Sequence, residues 1–218
     1  MSLAVAGHAL IPTTVGRSTL EALRGRVFAE GQVGTRCLLD DPLVRDTAHE
    51  IRMDLSARGV LPDGAKAIQA ISFDKTPQTN WKVTWHQDLM FPFARSVTQP
   101  GFELPSKKDG IDYARPPREV LEEMLAVRLH VDDCDASNGP LRVSPGSHLH
   151  GILRSSEVPD VLEKHGETVC SASAGEALLM RPLLLHASSP AREPKHRRVL
   201  HFVFHSGGPI AEDWHRAV

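Results

Sequence analysis

A chain of 218 residues can bury one sizeable core, and one domain spanning residues 1–218 is the expected organisation. Hydrophobic residues at 41% and charged residues at 24% exclude disorder, collagen and coiled coil. With 25 Lys and Arg against 27 Asp and Glu the net charge is −2, which gives no electrostatic case for nucleic acid or an anionic membrane as partner.

The chain opens with a helical start, residues 1–66. Residues 18–30 keep Leu20, Leu23, Val27 and Phe28 at helical spacing, with Ser18 or Thr19 as cap. A second helix runs from Pro42 to Ala57 behind Asp40 or Asp41 and stops before Gly59, with Val44, Ala48, Ile51 and Leu55 as its buried stripe. From Ala67 the pattern becomes β. Six runs follow: AIQAISF from 67, WKVTWHQD from 81, EMLAVRLHVD from 123, GPLRVSP from 139, EALLMRPLLLH from 176 and RRVLHFVF from 197. Turn signals separate them, and only short helical stretches such as 117–123 intervene. A sandwich or barrel core over about 67–206 is therefore expected, and a βαβ repeat is not. The segment 89–117 carries Pro92, Pro100, Gly101, Pro105, Gly110, Pro116 and Pro117 with few regular signals, which suits an active-site lid.

Cys37, Cys134 and Cys170 are an odd, widely spaced set without a CxxC pair, so reduced thiols and a cytoplasmic location are expected. The first ten residues lack a basic region and a long apolar run, so no signal peptide is expected, and no stretch approaches the ~18 apolar residues of a membrane span.

Histidine stands out, with 12 copies against a single Tyr. Three H-x-D/E patterns occur, at His86–Asp88, His130–Asp132 and His165–Glu167. Residues two apart on a strand share a face, so a strand-borne His-x-Asp aims an imidazole and a carboxylate at one point. A third ligand from a distant strand completes the two-His-one-carboxylate triad suited to non-haem Fe(II). By parity Lys82 and Thr84 share the face of His86 and Asp88, with Trp81, Val83 and Trp85 opposite. The second pair, His130–Asp132, ends a strand in an acidic turn, and His165 lies in a polar loop. The distal histidine candidate is His186, at the end of a strand apolar enough to be buried. After it, Arg197 shares a face with Val199, His201 and Val203 and points toward the pocket, while Arg198 shares the more apolar face with Leu200, Phe202 and Phe204. An inward arginine needs an anion, and a carboxylate meets a guanidinium in a bidentate pair.

Taken together, WHQDL (85–89), NGPLRVSPGSH (138–148), GEALLMRPLLLHASS (175–189) and HRRVLHF (196–202) resemble the phytanoyl-CoA dioxygenase family of Fe(II)/2-oxoglutarate oxygenases. The resemblance implies a mainly β, α+β fold with a double-stranded β-helix (jelly-roll) core and the N-terminal helices on its outer face. In the family the His-x-Asp precedes the Asn-Gly…Pro-Gly-Ser-His segment, which selects His86 and Asp88 over His130 and Asp132. His186 matches the distal metal ligand, and Arg197 matches the arginine that binds the far carboxylate of 2-oxoglutarate, with Ser188 as a helper and Arg198 as its rival. The implied chemistry uses Fe(II), 2-oxoglutarate and O2, releases succinate and CO2, and hydroxylates a small molecule. Related halogenases replace the metal-binding carboxylate by a small residue, so the presence of Asp88 disfavours halogenation. Lys82 and Thr84 are placed by parity beside the co-substrate. Arg95 and Lys108 in the lid, together with Arg128 and His130 on a core strand, are placed near the substrate. The chain is expected to work as a monomer or homodimer. A cupin-like metalloenzyme without 2-oxoglutarate, or a non-catalytic jelly-roll binding protein, is the alternative.

Overall fold

The computed structural model describes residues 2–208, 210 and 212–218. In chain order the elements are α1 (Leu3–Ala6), β1 (His8–Pro12), α2 (Arg17–Val27), α3 (Pro42–Ala57), β2 (Lys66–Lys75), β3 (Val83–His86), β4 (Phe91–Phe93), β5 (Glu103–Lys108) and β6 (Ile111–Arg115). They continue with α4 (Arg118–Glu122), β7 (Met124–His130), β8 (Leu141–Val143), α5 (Val158–His165), β9 (Thr168–Cys170), β10 (Glu176–Met180), β11 (His186–Ser188) and β12 (Arg197–His205).

The strands form an antiparallel five-stranded sheet in the order β1-β10-β7-β12-β2 and an antiparallel four-stranded sheet in the order β3-β11-β8-β9. Alternation gives the larger sheet two different faces. Its outer face carries Leu125, Val127, Leu129, Leu200, Phe202 and Phe204, which pack on Leu20, Leu23 and Val27 of α2 and on Val44, Ala48, Ile51 and Leu55 of α3. Its inner face meets the smaller sheet, where Leu178, Met180 and Val203 pack with Leu141, Val143 and Cys170. This is a jelly-roll core with helices on the outside, as the family resemblance implies, and it fits the sandwich or barrel expected from the β pattern.

Helix α3 keeps its predicted bounds. Asp41 accepts hydrogen bonds from the backbone N–H of Leu43 (2.8 Å) and Val44 (3.4 Å), and Pro42 occupies the first turn where no donor is needed. Asp41→Ala is expected to lower stability by about 1 kcal/mol, read as a shift of the denaturant midpoint at unchanged slope.

Three expectations need correction. Helix α2 starts behind Gly16 and ends at Val27, so Ser18 and Thr19 lie inside its first turn and do not cap it, and Phe28 is already extended. The run from 176 to 186 is two strands in different sheets. Pro182 has no N–H for a ladder, the Arg181 N–H turns to the Gly7 carbonyl, and the Leu184 N–H closes a turn on the Arg181 carbonyl. The segment 89–117 is also not irregular: β4, β6 and β5 form a third sheet. Its tight turn is Asp109–Gly110, both at positive φ (51° and 80°), between Lys108 and its partner Ile111. An Asp-Gly pair is a strong hairpin signal, masked here by the surrounding prolines.

Among the described residues no helix is long and apolar enough to cross a membrane.

Candidate metal centre

Strands β3 and β11 pair with His86 directly opposite His186. Asp88 follows two residues after His86, its N–H held by the Pro182 carbonyl at 2.9 Å. The three side chains offer ligand atoms that all lie within 4.8 Å of one another. The Nε2 atoms of His86 and His186 lie 3.7 and 3.6 Å from Asp88 Oδ1. Each imidazole is oriented the same way, with Nδ1 2.9 Å from a carbonyl two residues earlier, Thr84 for His86 and Leu184 for His186. In that bond Nδ1–H donates to the carbonyl oxygen, which leaves the Nε2 electron pair free, the arrangement a metal needs.

The electrostatics suit a cation. Burial, outweighing the pull of Asp88, brings the His186 imidazolium down to about 4, so the ring is neutral near pH 7. Burial pushes the Asp88 carboxyl up, but the neighbouring imidazoles of His186, His201 and His86 and the Arg128 guanidinium outweigh it, and the group lies below the ordinary carboxylate range. Two neutral nitrogens and one carboxylate on one side of a cavity match the donor set of a non-haem Fe(II) centre.

Gln87, between the two ligands, was not singled out by sequence. Its side-chain N–H groups donate to the carbonyls of Gly151 (2.7 Å) and Leu183 (2.6 Å), and its carbonyl accepts from the Leu153 N–H at 2.9 Å. It fastens the His-x-Asp corner to two other segments. A buried glutamine between two ligand candidates was the available signal.

Lys82 and Thr84 are corrected. Both are exposed and neither lines the cavity, whereas Trp81 and Val83 do. The cause is a bulge. His86 pairs with His186 but Val83 pairs with Ser188, so Thr84 and Trp85 stand together against Ala187. The extra residue inverts the parity upstream of His86. Trp85 does face away, under the guanidinium of Arg142.

The end of the cavity beyond the triad is basic. Arg197 is 3% exposed, lines the cavity and donates to the Gly139 carbonyl. The Asn138–Gly139 turn sets this up: the Asn138 amide bonds the His196 carbonyl (3.3 Å) and the Lys195 N–H (3.2 Å), just before Arg197. Gly139 sits at φ +63°, and a Cβ there would lie 2.9 Å from the Ser189 carbonyl, so only glycine fits. Arg198 points the other way and reaches Asp132 (3.5 Å) and Asp74 (3.7 Å). Ser188 lines the cavity and accepts from the ammonium of Lys75 at 3.1 Å.

Lys75 was missed. It is 0% exposed, donates to the Ser189 carbonyl at 2.6 Å and lies 5.3 Å from the Trp81 ring. Burial, helped by the charge of Arg197, brings its ammonium down to about 7. The signal was its parity: Gln69, Ile71, Phe73 and Lys75 alternate along β2, and Lys75 pairs with Arg197.

The remaining candidates divide. Arg128 lines the cavity, and so does Lys108, whose ammonium lies 5.2 Å from the Tyr113 ring. Arg95 is 73% exposed and faces Glu212 outside the cavity. Asp132 pairs with Arg24 at 2.9 Å on the outer side, so His130 and Asp132 do not converge. His165 meets His150 at 2.9 Å rather than Glu167, which pairs with Arg142.

His130 is buried outside the cavity lining, with neither ring nitrogen bonded among the described residues. Burial, then Arg128 and Arg197, brings it down to about 3 from 6.5. Between those values the unfolded chain takes up a proton that the native state refuses. His130 therefore lowers stability as pH falls from 6.5 to 3. His130→Leu is expected to raise stability at pH 7 by about 1–2 kcal/mol and to flatten the acid limb by up to about 1.4 kcal/mol per pH unit, measured by denaturant melts across that range.

The cavity has a volume of about 510 Å³ and joins the triad to Arg197. The chain matches the family model for phytanoyl-CoA dioxygenase over residues 21–199. Similar solved structures include AviO1 from Streptomyces viridochromogenes Tue57, at 17% identity and TM-score 0.66, covering 96% of this chain and 94% of that one. HygX from Streptomyces hygroscopicus, with iron bound, aligns at 16% identity and TM-score 0.64 over 93% of this chain and 83% of that one. SnoK, a non-heme alpha ketoglutarate dependent carbocyclase from nogalamycin biosynthesis, aligns at 14% identity and TM-score 0.62 over 94% and 81%. At these identities the likeness shows the fold. No curated protein matches the chain. With the family model spanning most of its length, the chain belongs to the phytanoyl-CoA dioxygenase family of Fe(II)/2-oxoglutarate-dependent oxygenases.

Proposed function

We propose that His86, Asp88 and His186 hold the Fe(II), that Arg197, Ser188 and Lys75 receive the far carboxylate of 2-oxoglutarate, and that the enzyme hydroxylates a small molecule in the remaining cavity. The observation that carries this reading is one cavity with a two-His-one-carboxylate set on one wall and the buried Arg197 at its end, where the lining Ser188 is held from behind by the Lys75 ammonium. Bound at the triad, Fe(II) supplies the oxygen activation that couples 2-oxoglutarate decarboxylation to substrate oxidation, yielding succinate and CO2.

The chain's own residues do the positioning. Thr84 and Leu184 carbonyls fix the ring orientations, and Gln87 holds the corner between the ligands. Arg197 meets a carboxylate with a planar fork, and Lys75, lowered to about 7, regains its proton when that carboxylate arrives beside it. The basic end favours this reading over a cupin-like enzyme that needs no 2-oxoglutarate. Segment 89–117 contributes Leu89, Met90, Phe91, Leu104, Lys108 and Tyr113 to the cavity wall and serves as its cover, excluding water. The three free cysteines suit a reducing cytoplasm, and the enzyme works as a monomer or homodimer without a nucleic-acid or membrane partner.

The test is succinate release from 2-oxoglutarate in the presence of Fe(II) and O2. Succinate formation that needs both, and that His186→Ala removes, is the expected result. 2-Oxoglutarate left unconsumed while Fe(II) binds would favour the cupin-like chemistry.

A further inference from the structure

The inner row of the larger sheet places Ile71, His201, Arg128 and Leu178 side by side across β2, β12, β7 and β10. Arg128 is 7% exposed and lines the cavity. Its guanidinium donates to His201 Nδ1 at 3.3 Å and lies 5.4 Å from the Phe73 ring, while its Nε is buried and unbonded among the described residues. No carboxylate lies within ion-pair distance of it among the described residues. A buried cation without an anion costs several kcal/mol, and burial lowers this one to about 10.

The cavity is lopsided in charge. Its lining has Arg36, Lys108, Arg128 and Arg197 against one carboxylate, Asp88. Asp88 leaves one net positive charge on a divalent iron. A dianionic co-substrate would offset that iron and one cation of the Arg197–Lys75 end, leaving nothing for Arg128. Arg128 has no carboxylate within ion-pair distance among the described residues. The same cavity is lined by the apolar side chains of Ile71, Phe73, Leu89, Met90 and Leu104, with the Phe73 ring 5.4 Å from the Arg128 guanidinium. Arg36 and Lys108 are exposed lining residues, and Arg36 pairs with the exposed Asp109 at 3.4 Å.

We infer that the organic substrate is an amphipathic oxyanion, a carboxylate or phosphate monoester on an apolar body, and that Arg128 binds its anionic group while Lys108 and Arg36 draw it in. A guanidinium presents parallel donors to two oxygens of either group, and the low-dielectric floor strengthens the pair. The inference rests on the Fe(II)/2-oxoglutarate reading and names the substrate class for that site.

The experiment is anaerobic calorimetry on the protein loaded with Fe(II) and 2-oxoglutarate, the loading confirmed by its visible charge-transfer band. The probes are 3-phenylpropionate and 2-phenylethyl phosphate, each against the neutral 3-phenylpropan-1-ol. At least one anion should bind tenfold or more tightly than the alcohol, and which one does so separates carboxylate from phosphate. Arg128→Gln should bring the preference below threefold, with 2-oxoglutarate affinity changed less than threefold. Arg128→Lys should keep a preference, and the exposed Lys108→Ala should weaken the anion about threefold at low salt. These last two keep the test open should the glutamine variant fail to fold. Anions that bind no better than the alcohol overturn the inference. So does a preference that survives Arg128→Gln while 2-oxoglutarate weakens tenfold, which would assign Arg128 to the co-substrate. A changed band with the preference intact would make Arg128 a positioning residue acting through His201 and also overturns it. Absence of the band in the wild type overturns the underlying metal reading instead, and the inference with it.

Discussion

Asp88→Ala is expected to abolish turnover and to weaken Fe(II) binding by well over the ~10–100-fold that loss of an outer-shell partner costs. Asp88 is the only carboxylate of the cluster, and its oxygens face His86, His186 and His201 at 3.6 to 3.8 Å. Without it a divalent ion would meet two neutral imidazoles with Arg128 nearby, and the local field would turn repulsive. Iron per chain after anaerobic loading, and succinate formed per chain, are the two readouts. Wild-type iron content in the variant would place the metal elsewhere.

Arg197→Ala and Arg198→Ala should separate cleanly. Removing one partner of a buried, hydrogen-bonded charge pair costs about 2–5 kcal/mol, which is roughly 30- to several-thousand-fold in affinity. Arg197→Ala is therefore expected to raise the 2-oxoglutarate requirement by at least about 30-fold with Fe(II) still bound. Among the described residues Arg198 pairs with Asp74 and Asp132 on the other face, with its side chain 20% exposed. Its alanine variant should change the 2-oxoglutarate requirement less than about threefold and cost about 1 kcal/mol of stability. KM for 2-oxoglutarate and a denaturant melt on both variants decide the matter. The reverse pattern would exchange the roles of the two arginines.

The periodic elements were legible. The stripe Val44, Ala48, Ile51 and Leu55 needs only a 3.6-residue repeat, and the alternation of β12 separates Arg197 from Arg198 without any tertiary information. The triad was legible because two of its members sit two residues apart and the third ends an apolar run, and the family resemblance chose among the three His-x-acid pairs. What failed depended on partners far away in sequence. Parity placed Lys82 and Thr84 inside, but the bulge opposite Ala187 is set by register with β11 and leaves no mark on residues 82–84. The break at Arg181–Pro182 was readable from the proline, yet the surrounding leucines suggested one continuous strand. Lys75 and Arg128 lay in plain alternation. Charged residues at inward positions of core strands are uncommon, and that parity made Arg128 a candidate while the same signal at Lys75 was missed. His130 had the same parity, yet neither ring nitrogen is bonded among the described residues, so inward parity selects burial and not role.

The most direct measurement is an anaerobic titration of the purified protein with Fe(II) and then 2-oxoglutarate, followed by visible absorption. A charge-transfer band that grows to one equivalent in the wild type and is absent in both Asp88→Ala and His186→Ala is the predicted result. A band of full intensity in Asp88→Ala, or iron bound at one equivalent with no band, would contradict a 2-oxoglutarate-dependent centre at His86, Asp88 and His186.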